Sequence, residues 1–369
     1  MPTPERQLKV LIAGGGTGGH VIPALAIARE LKSQHGAEVV FVGTSRGIEN
    51  RLVPAAGFEL RLIEVGQLNR VSIATRVKTL FKLPWSVVEA SRMLNGVKPD
   101  VVLGVGGYAS GPAMLAAILR GIPTMVFEPN LVPGMVNRRL ASRTRIAAVH
   151  FAETGKWFPR FEVTGVPVRL EFFAIAPRKG GAPSLLVFGG SQGARAINNV
   201  VVESAAELKA KLPALRIVHQ TGQAQFEPVS AAYRSAGIDA EVAPFIENMA
   251  ERFAEADLVV CRSGASTVAE IAAAGKAAIF IPLPTAADDH QRRNAESLSS
   301  QDAAMLIPEP ELTQARFVET VSSAFANPGR LVAIGENARK LAHRDAAAHV
   351  AKMAVSLVRE GKSLSPSAV

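Results

Sequence analysis

The chain contains the same pattern twice: a short apolar run, a glycine-rich turn and an amphipathic helical segment. The first copy has its apolar run at 8–13, its glycines at 14–19 and its predicted helix at 22–34. The second copy has an apolar run at 184–188 and a glycine turn at 189–193. A buried strand that enters a helix through a glycine turn opens many nucleotide-binding α/β domains. The repeat therefore predicts two similar doubly wound domains with a cleft between them.

Other short apolar runs alternate with helical segments and predict the remaining strands of two parallel sheets. They lie at 38–42, 101–105, 124–127, 216–219, 257–261 and 278–282. A chain of 369 residues suits two domains of roughly 150 residues each. We place an N-terminal domain at 1–168 and a C-terminal domain at 169–345, and expect a helix at 346–360 to pack back on the N-terminal domain.

The composition favours an anionic partner, because the net charge is +9 and the isoelectric point is about 9.9. Aromatic residues make up only 5% and no nucleic-acid-binding module is recognisable, so we expect no nucleic-acid partner. Cys261 is the single cysteine, which excludes a disulfide within the chain and suits a reducing compartment. No long apolar run is present, so the sequence predicts no membrane-spanning helix.

The first glycine turn satisfies the pattern G-x-G-x-x-G with Gly14, Gly16 and Gly19. Backbone amides in such a turn can hold a phosphate at a helix N-terminus. A nicotinamide enzyme would also carry an acidic residue at the end of the second strand, where this chain has Val-Gly-Thr at 42–44. The absence of this acidic residue argues against a dehydrogenase. His20 follows the turn directly and is either a helix-start residue bonded to the backbone or a general base.

The second glycine turn, 189–193, suggests that two phosphate-bearing substrates are bound, a donor and an acceptor. The alternative is a tight turn in which Ser191 caps the next helix. Further along, Thr267 and Glu270 have the spacing of a capping box. Glu270 is therefore either part of a helix cap or a carboxylate that accepts two ribose hydroxyls.

A polar cluster, Asp288-Asp289-His290-Gln291, follows the apolar run that ends near residue 282. Loops beyond the carboxyl ends of parallel strands are where α/β sheets bind ligands. Adjacent residues seldom converge on one ion, so we expect neither a metal nor any other cofactor.

Five motifs in order resemble the MurG family over about residues 8–355. They are Gly15-Gly16-Thr17-Gly18-Gly19-His20, Gly106-Gly107-Tyr108, Glu128-Pro129-Asn130, Gly189-Gly190-Ser191-Gln192-Gly193 and Cys261-Arg262-Ser263-Gly264. The resemblance implies the GT-B fold, in which two Rossmann-like doubly wound domains face each other across a cleft.

The resemblance also implies an inverting transferase that needs no cofactor. It would move N-acetylglucosamine from UDP-N-acetylglucosamine to the C4 hydroxyl of undecaprenyl-diphospho-muramoyl-pentapeptide, converting lipid I to lipid II. That step of peptidoglycan biosynthesis supports cell shape and division. The alternative is another GT-B nucleotide-sugar enzyme, an epimerase or a different lipid glycosyltransferase.

The resemblance assigns roles to individual residues. His20 is the first candidate for the general base and Glu128 the second. Matching substrate-binding positions are Thr17, Gly18, Gly19, Asn130, Arg169, Ser191, Ile246, Ala265, Glu270, His290 and Gln291. Among these, Ile246 would meet the uracil, Glu270 the ribose, and His290 and Gln291 the sugar hydroxyls.

Two positions depart from the family pattern. Val166 stands where the family usually has asparagine, and valine lacks the amide group that would make a polar contact there. Pro129 stands where glutamine is common, and proline removes a backbone donor while stiffening the loop.

The segment 70–85 is basic and amphipathic. Ile73, Val77, Leu80 and Phe81 share one helical face, beside Arg76, Lys78 and Lys82 and before Pro84-Trp85. The apolar stripe faces either the protein core or an anionic membrane surface. The resemblance favours the membrane, with the protein bound peripherally at the cytoplasmic face of the bacterial cell membrane.

Overall fold

The computed structural model of the protein describes residues 6–65, 73–178 and 180–363, with backbone alone for 73–82 and 361–363. Its strands are β1 (Lys9–Gly14), β2 (Glu38–Gly43), β3 (Glu59–Leu62), β4 (Val101–Gly106), β5 (Thr124–Glu128), β6 (Ile146–Val149), β7 (Phe161–Val163), β8 (Ser184–Phe188), β9 (Arg216–Gln220), β10 (Glu241–Ala243), β11 (Leu258–Cys261), β12 (Ala277–Phe280) and β13 (Met305–Leu306). Its α-helices are α1 (Gly18–His35), α2 (Glu49–Ala55), α3 (Ile73–Val97), α4 (Ser110–Leu119), α5 (Met135–Leu140), α6 (Leu170–Phe173), α7 (Arg195–Lys211), α8 (Phe226–Ser235), α9 (Met249–Glu255), α10 (Ala265–Ala274), α11 (His290–Ser299), α12 (Gln314–Ala326), α13 (Pro328–Lys340) and α14 (Ala346–Ser363).

The contacts divide the described residues into two compact units. The first unit comprises the described residues up to Pro167 together with those from Asp345 onward, and the second comprises Val168–Arg344. The C-terminal helix α14 belongs to the first unit, where it packs against α1.

The first unit is built on a parallel sheet with the strand order β3-β2-β1-β4-β5-β6-β7. Its central strands β1, β2, β4, β5 and β6 are largely apolar and buried, as expected where helices cover both faces of a parallel sheet. Leu11, Val40, Val102 and Val126 come from four neighbouring strands and lie in one core cluster. Each such side chain contributes about 1.5–3 kcal/mol when it is removed from water.

The second unit repeats the arrangement with the order β10-β9-β8-β11-β12-β13, and its paired strands are also parallel. Leu185, Ile217, Val260 and Ile279 form the sheet side of its core. In both sheets the strand order reverses beside the first strand, which is the topological switch point where doubly wound folds bind ligands. The predicted pair of doubly wound domains is confirmed.

The largest difference from the predicted elements is the start of α1. The sequence predicted its first residue near Ile22, whereas the helix begins at Gly18. Glycine is a poor helix former, so propensity alone placed Gly18 and Gly19 in the turn. In the structure Val21 N–H donates to Thr17 C=O (3.1 Å), which closes the first helical turn directly on the glycine loop.

No helix in the described part of the chain is long and apolar enough to cross a membrane. The basic segment 70–85 is described only in part. The side chains of 70–82, on which the predicted stripe depends, lie outside the described residues. Trp85 is described and is 72% exposed on α3.

Candidate active site

The first glycine loop holds His20 in a defined orientation. Gly16 has a φ of +88°, a left-handed conformation that glycine adopts without strain. The imidazole Nδ1 of His20 lies 3.1 Å from Gly15 C=O and 3.4 Å from Thr17 Oγ1. A carbonyl oxygen only accepts hydrogen bonds, so the Gly15 contact assigns a proton to Nδ1. In the neutral ring the lone pair then belongs to Nε2, which lies next to Gly106.

A buried carboxylate, Glu49, occupies the inside of this loop. Its side chain accepts hydrogen bonds from Gly16 N–H (2.7 Å), Thr44 N–H (3.0 Å) and Thr44 Oγ1–H (3.2 Å). A Cβ on Gly15 would lie 2.3 Å from the Glu49 carboxyl carbon, and a Cβ on Gly47 would lie 1.9 Å from a carboxyl oxygen. These glycines therefore leave the space that the carboxylate fills.

The sequence analysis did not identify Glu49. The hydrogen bond to Gly16 spans 33 residues and depends on the pairing of β1 with β2, which no local pattern reveals. It also changes the expectation for the loop, because Gly16 N–H is used internally. The N–H groups of Gly18 and Gly19 belong to the first turn of α1, where N–H groups have no partner within the helix.

Glu128, the second candidate base, lies at the end of β5 and is buried. Its carboxyl group accepts four hydrogen bonds, from Asn130 N–H (3.0 Å), Asn130 Nδ2 (3.3 Å), Gly134 N–H (2.9 Å) and Asn137 Nδ2 (2.8 Å). Burial raises the pKa of the Glu128 carboxyl, while the hydrogen bonds from Asn137, Asn130 and Gly134 oppose that rise. Both carboxyl oxygens are thus committed to shaping the loop at 129–134. Pro129 fits within this loop because the donors come from its neighbours.

The second glycine loop is shaped by close backbone contacts. A Cβ on Gly193, whose φ is +73°, would lie 1.8 Å from Thr221 C=O. A Cβ on Gly222 would lie 2.3 Å from Gln192 C=O, so the two segments interlock. The helix α7 begins at Arg195 with Ala194 as its N-cap and no side-chain cap. The alternative reading of Ser191 as a helix cap is therefore wrong, and Ser191 lies exposed in the loop.

The Gln220 side chain connects this loop to Ile246. Its Nε2 donates to Gly190 C=O (3.0 Å) and its Oε1 accepts from Ile246 N–H (2.8 Å). The backbone of Ile246, which the resemblance places against the uracil, is thereby held at a fixed position relative to the glycine loop. Phe245 beside it is 58% exposed.

A neutral, buried network supports the same loop from behind. Asn198 Nδ2 donates to Thr221 C=O (2.9 Å), and Asn198 Oδ1 lies 3.1 Å from His219 Nε2. His219 Nδ1 lies 3.0 Å from the Tyr233 hydroxyl. Because the Asn198 amide group already donates, His219 donates from Nε2 and accepts from Tyr233 at Nδ1. Burial lowers the pKa of His219 to about 3, so the imidazole is neutral.

Arg169 and Glu270 lie in one electrostatic environment where α6 meets α10. Burial raises the pKa of the Glu270 carboxyl to about 7; the positive charge of Arg169 lowers it and the negative charge of Glu171 raises it. The helix α10 begins at Ala265 with Gly264 as its N-cap and without a side-chain cap. The predicted capping box of Thr267 and Glu270 does not form, since both residues lie inside the helix.

The polar cluster after β12 converges with the loop after β11. Ser263 Oγ donates to Gln291 C=O (2.8 Å), and Gln291 Oε1 accepts from Leu283 N–H (3.0 Å). His290 Nδ1 lies 2.7 Å from Ala287 C=O, which orients its ring at the start of α11. Within the described residues no group of His, Cys, Asp or Glu side chains is arranged to hold a metal ion.

The structure places the predicted residues, except Arg169 and Glu270, at the carboxyl ends of strands in the two sheets. In the first unit Thr17, Gly18, Gly19 and His20 follow β1, and Glu128 and Asn130 end or follow β5. The second unit contains the others: Arg169, Ser191, Ile246, Ala265, Glu270, His290 and Gln291. Of these, Ser191, Ile246, Ala265, His290 and Gln291 lie in or next to loops at the carboxyl ends of parallel strands, the expected ligand-binding edge.

Comparison with known proteins defines the class. Residues 10–149 match the glycosyltransferase family 28 N-terminal domain, and residues 184–350 match the glycosyltransferase family 28 C-terminal domain. Both glycine loops lie inside these matches.

Individual relatives narrow the class. The chain is 46% identical over 359 residues to a UDP-N-acetylglucosamine–N-acetylmuramyl-(pentapeptide) pyrophosphoryl-undecaprenol N-acetylglucosamine transferase of Solibacter usitatus, covering 96% of this chain and 98% of the relative. A transferase of the same name from Geobacter metallireducens is 46% identical over 349 residues, with 92% and 96% covered. The crystal structure of Acinetobacter baumannii MurG superposes with a TM-score of 0.80 at 34% identity, covering 95% of this chain and 99% of that one. The chain belongs to the MurG family of glycosyltransferases, and the predicted GT-B pair of Rossmann-like domains is confirmed by this similarity.

Proposed function

We propose that this protein transfers N-acetylglucosamine from UDP-N-acetylglucosamine to the C4 hydroxyl of undecaprenyl-diphospho-muramoyl-pentapeptide, with inversion at the anomeric carbon. The observation that carries the proposal is the 46% identity to a transferase so named, which extends over 96% of the chain and includes both glycine loops. The reaction converts lipid I to lipid II in peptidoglycan synthesis.

His20 is the proposed general base. The acceptor hydroxyl attacks the anomeric carbon, its proton passes to the imidazole Nε2, and UDP leaves. The hydrogen bond from Nδ1 to Gly15 C=O supports this role, because it fixes the tautomer in which Nε2 carries the lone pair. A positioned base contributes about 10²- to 10⁴-fold to the rate.

The donor is proposed to bind the second unit. The loop at 189–193, in which Ser191 and Gln192 are exposed, and the N-terminus of the 17-residue helix α7 favour the negative diphosphate as UDP departs. Glu270 would accept the ribose hydroxyls, Ile246 would meet the uracil, and His290 with Gln291 would contact the sugar. Arg169 and Ala265 complete the proposed contacts of the second unit. In the first unit, the proposed substrate contacts are Thr17, Gly18, Gly19 and Asn130.

Glu128 is proposed to organise the acceptor-side loop at 129–134 and not to take the proton. All four of its hydrogen bonds are donated to it, by Asn130, Gly134 and Asn137, so the acceptor hydroxyl would have to displace one of them. Its burial at 2% exposure supports the same assignment.

The acceptor is a lipid, so the protein is proposed to bind the cytoplasmic face of the cell membrane peripherally through 70–85. The exposed Trp85 supports this surface, since tryptophan favours the headgroup region. Co-sedimentation with anionic vesicles, lost with neutral vesicles and in Trp85→Ala, is expected. If Trp85→Ala binds the vesicles as well as wild type does, Trp85 is not part of the membrane-binding surface.

The test of the reaction is release of UDP from UDP-N-acetylglucosamine with and without a lipid I analogue. We expect release only when the analogue is present, together with a β-linked disaccharide product. Release of UDP without an acceptor would instead indicate hydrolysis or epimerisation, and would overturn the proposal.

A further inference from the structure

The peptide group between Gly15 and Gly16 is bonded at both ends. Its C=O accepts from His20 Nδ1 (3.1 Å), and its N–H donates to the Glu49 carboxylate (2.7 Å). A carboxylate, a peptide group and an imidazole therefore form one continuous chain of hydrogen bonds. The polarity is the same along the chain, with each donor directed toward Glu49.

We propose that Glu49 is a positioning residue that acts on His20 through the Gly15–Gly16 peptide group and strengthens His20 as a base. The inference rests on the proposed function only in assigning His20 the role of base.

The physical basis is polarisation of an amide. A carboxylate that accepts from a peptide N–H draws positive charge toward the nitrogen and leaves more negative charge on the carbonyl oxygen. The Gly15 oxygen then binds the Nδ1 proton more strongly, most of all when the ring is positively charged. No proton moves along the chain: Nδ1 keeps its proton, and the proton from the acceptor hydroxyl stays on Nε2 until it passes to solvent.

The carboxylate is held so that it cannot turn away from Gly16. Thr44 N–H (3.0 Å) and Thr44 Oγ1–H (3.2 Å) fix one carboxyl oxygen, which directs the other at Gly16. Three glycines surround the side chain, and a Cβ on Gly43 would lie 2.5 Å from the Glu49 Cγ. Glu49 is 1% exposed, so water does not screen its charge as it would at the surface.

Other charged groups occur on the elements that pack around α1 and on α1 itself. The first on α1 is Arg29, nine residues beyond His20 and about 13 Å along the helix axis. Apart from His20, the titratable or charged residues on α1, β1, β2, α2 and the described side chains of α14 are Lys9, Arg29, Glu30, Lys32, His35, Glu38, Glu49, Arg51, His349, Lys352, Arg359 and Glu360.

The simpler alternative is that Glu49 only stabilises the loop. Asn50 provides a matched control, because its Nδ2 donates to Thr44 C=O (2.6 Å) and Gly47 C=O (3.1 Å) and closes the same turn. Asn50→Ala removes these loop contacts but leaves the bond from Gly16 to the carboxylate in place.

The experiment measures the titration of the His20 imidazole by NMR in wild type, Glu49→Gln and Asn50→Ala, with His20→Ala used for assignment. In Glu49→Gln the midpoint is expected to move to lower pH by on the order of half a unit, since the imidazolium loses a favourable charge. In Asn50→Ala it is expected to stay at the wild-type value while thermal stability falls. A wild-type midpoint in Glu49→Gln would overturn the proposal. If Glu49→Gln does not fold, Glu49→Asp keeps the charge but withdraws it from Gly16, and the same downward shift is expected; no shift overturns the proposal.

Turnover separates this inference from the assignment of His20 as base. Glu49→Gln is expected to lower kcat about threefold at unchanged KM for UDP-N-acetylglucosamine, the most that a half-unit loss of basicity allows, and to leave kcat unchanged in a His20→Ala background. An equal loss in both backgrounds would show that Glu49 does not act through His20. If His20→Ala alone retains full turnover, His20 is not the general base. The NMR midpoint of His20 in Glu49→Gln would still show whether Glu49 acts on the imidazole.

Discussion

The two glycine loops look alike in sequence but are stabilised in opposite ways. The first loop encloses a buried carboxylate, Glu49, which takes the N–H of Gly16. The second loop is supported by neutral groups, with Asn198, His219 and Gln220 bonded to one another or to loop backbone. A fixed negative charge disfavours phosphate, whereas a neutral loop at a long helix N-terminus favours it. Similar strand-loop-helix units can therefore serve different chemistry, a proton acceptor in one and diphosphate binding in the other.

The largest effect is expected from His20→Ala. Removing the imidazole should lower kcat by about 10²- to 10⁴-fold, because no other group then takes the acceptor proton. Affinity for UDP-N-acetylglucosamine, measured by calorimetry, should stay within about twofold, since the donor loop lies in the other unit. Unchanged turnover would exclude His20 as the base, and a large loss of donor affinity would break the division of roles between the loops.

Gly193→Ala should damage the second loop. The new Cβ would lie 1.8 Å from Thr221 C=O in addition to the cost of a φ of +73°. We expect at least a tenfold loss of donor affinity by calorimetry, since the loop must move from its position. Gly190→Ala is the matched comparison: its φ is +90° but nothing lies within 4 Å of the new Cβ, so only backbone strain is added. If both variants lose donor affinity equally, backbone strain and not the contact between Gly193 and Thr221 determines the loop conformation.

A smaller, pH-dependent effect is expected at Glu270. The raised pKa of about 7 means that the carboxyl group is protonated below and ionised above this pH. Only the ionised form accepts both ribose hydroxyls through its two oxygens, so affinity should rise with pH. Between pH 6 and pH 8 the ionised fraction grows from about one tenth to nine tenths, which predicts up to a tenfold gain.

Calorimetry with UDP-N-acetylglucosamine is the appropriate measurement, because its diphosphate does not titrate in this range. Glu270→Gln is the control and should bind more weakly with a flat profile between pH 6 and pH 8. A wild-type profile that is equally flat, or that falls with pH, would contradict a ribose-binding role for the carboxylate.

The sequence predicted the architecture because its signals are local. Apolar runs such as 184–188 and the glycines that follow them define strand ends directly, and the repeat defined two domains. The predicted caps at Ser191 and Thr267 were less reliable, because capping depends on where a helix begins to within one residue.

Long-range contacts account for what the sequence did not reveal. Glu49 reaches Gly16 only after β1 and β2 pair, and His219 reaches Tyr233 only after α8 packs against the second sheet. The local signal for the contact between Glu49 and Gly16 is limited to Gly43 and Gly47, which precede Glu49 and leave room for its side chain. The contact between His219 and Tyr233 could be anticipated only in general terms. A histidine buried inside the apolar strand β9 needs polar partners, but the sequence does not say which ones.

The division of roles between the loops is tested most directly by hydrogen–deuterium exchange of the whole protein with and without UDP. We predict that UDP slows exchange in peptides covering 189–197 and 265–271, where the diphosphate and ribose are proposed to bind. Peptides covering 14–21 should exchange at the same rate with and without UDP. Protection of 14–21 with none at 189–197 would place the diphosphate on the first loop and contradict the account.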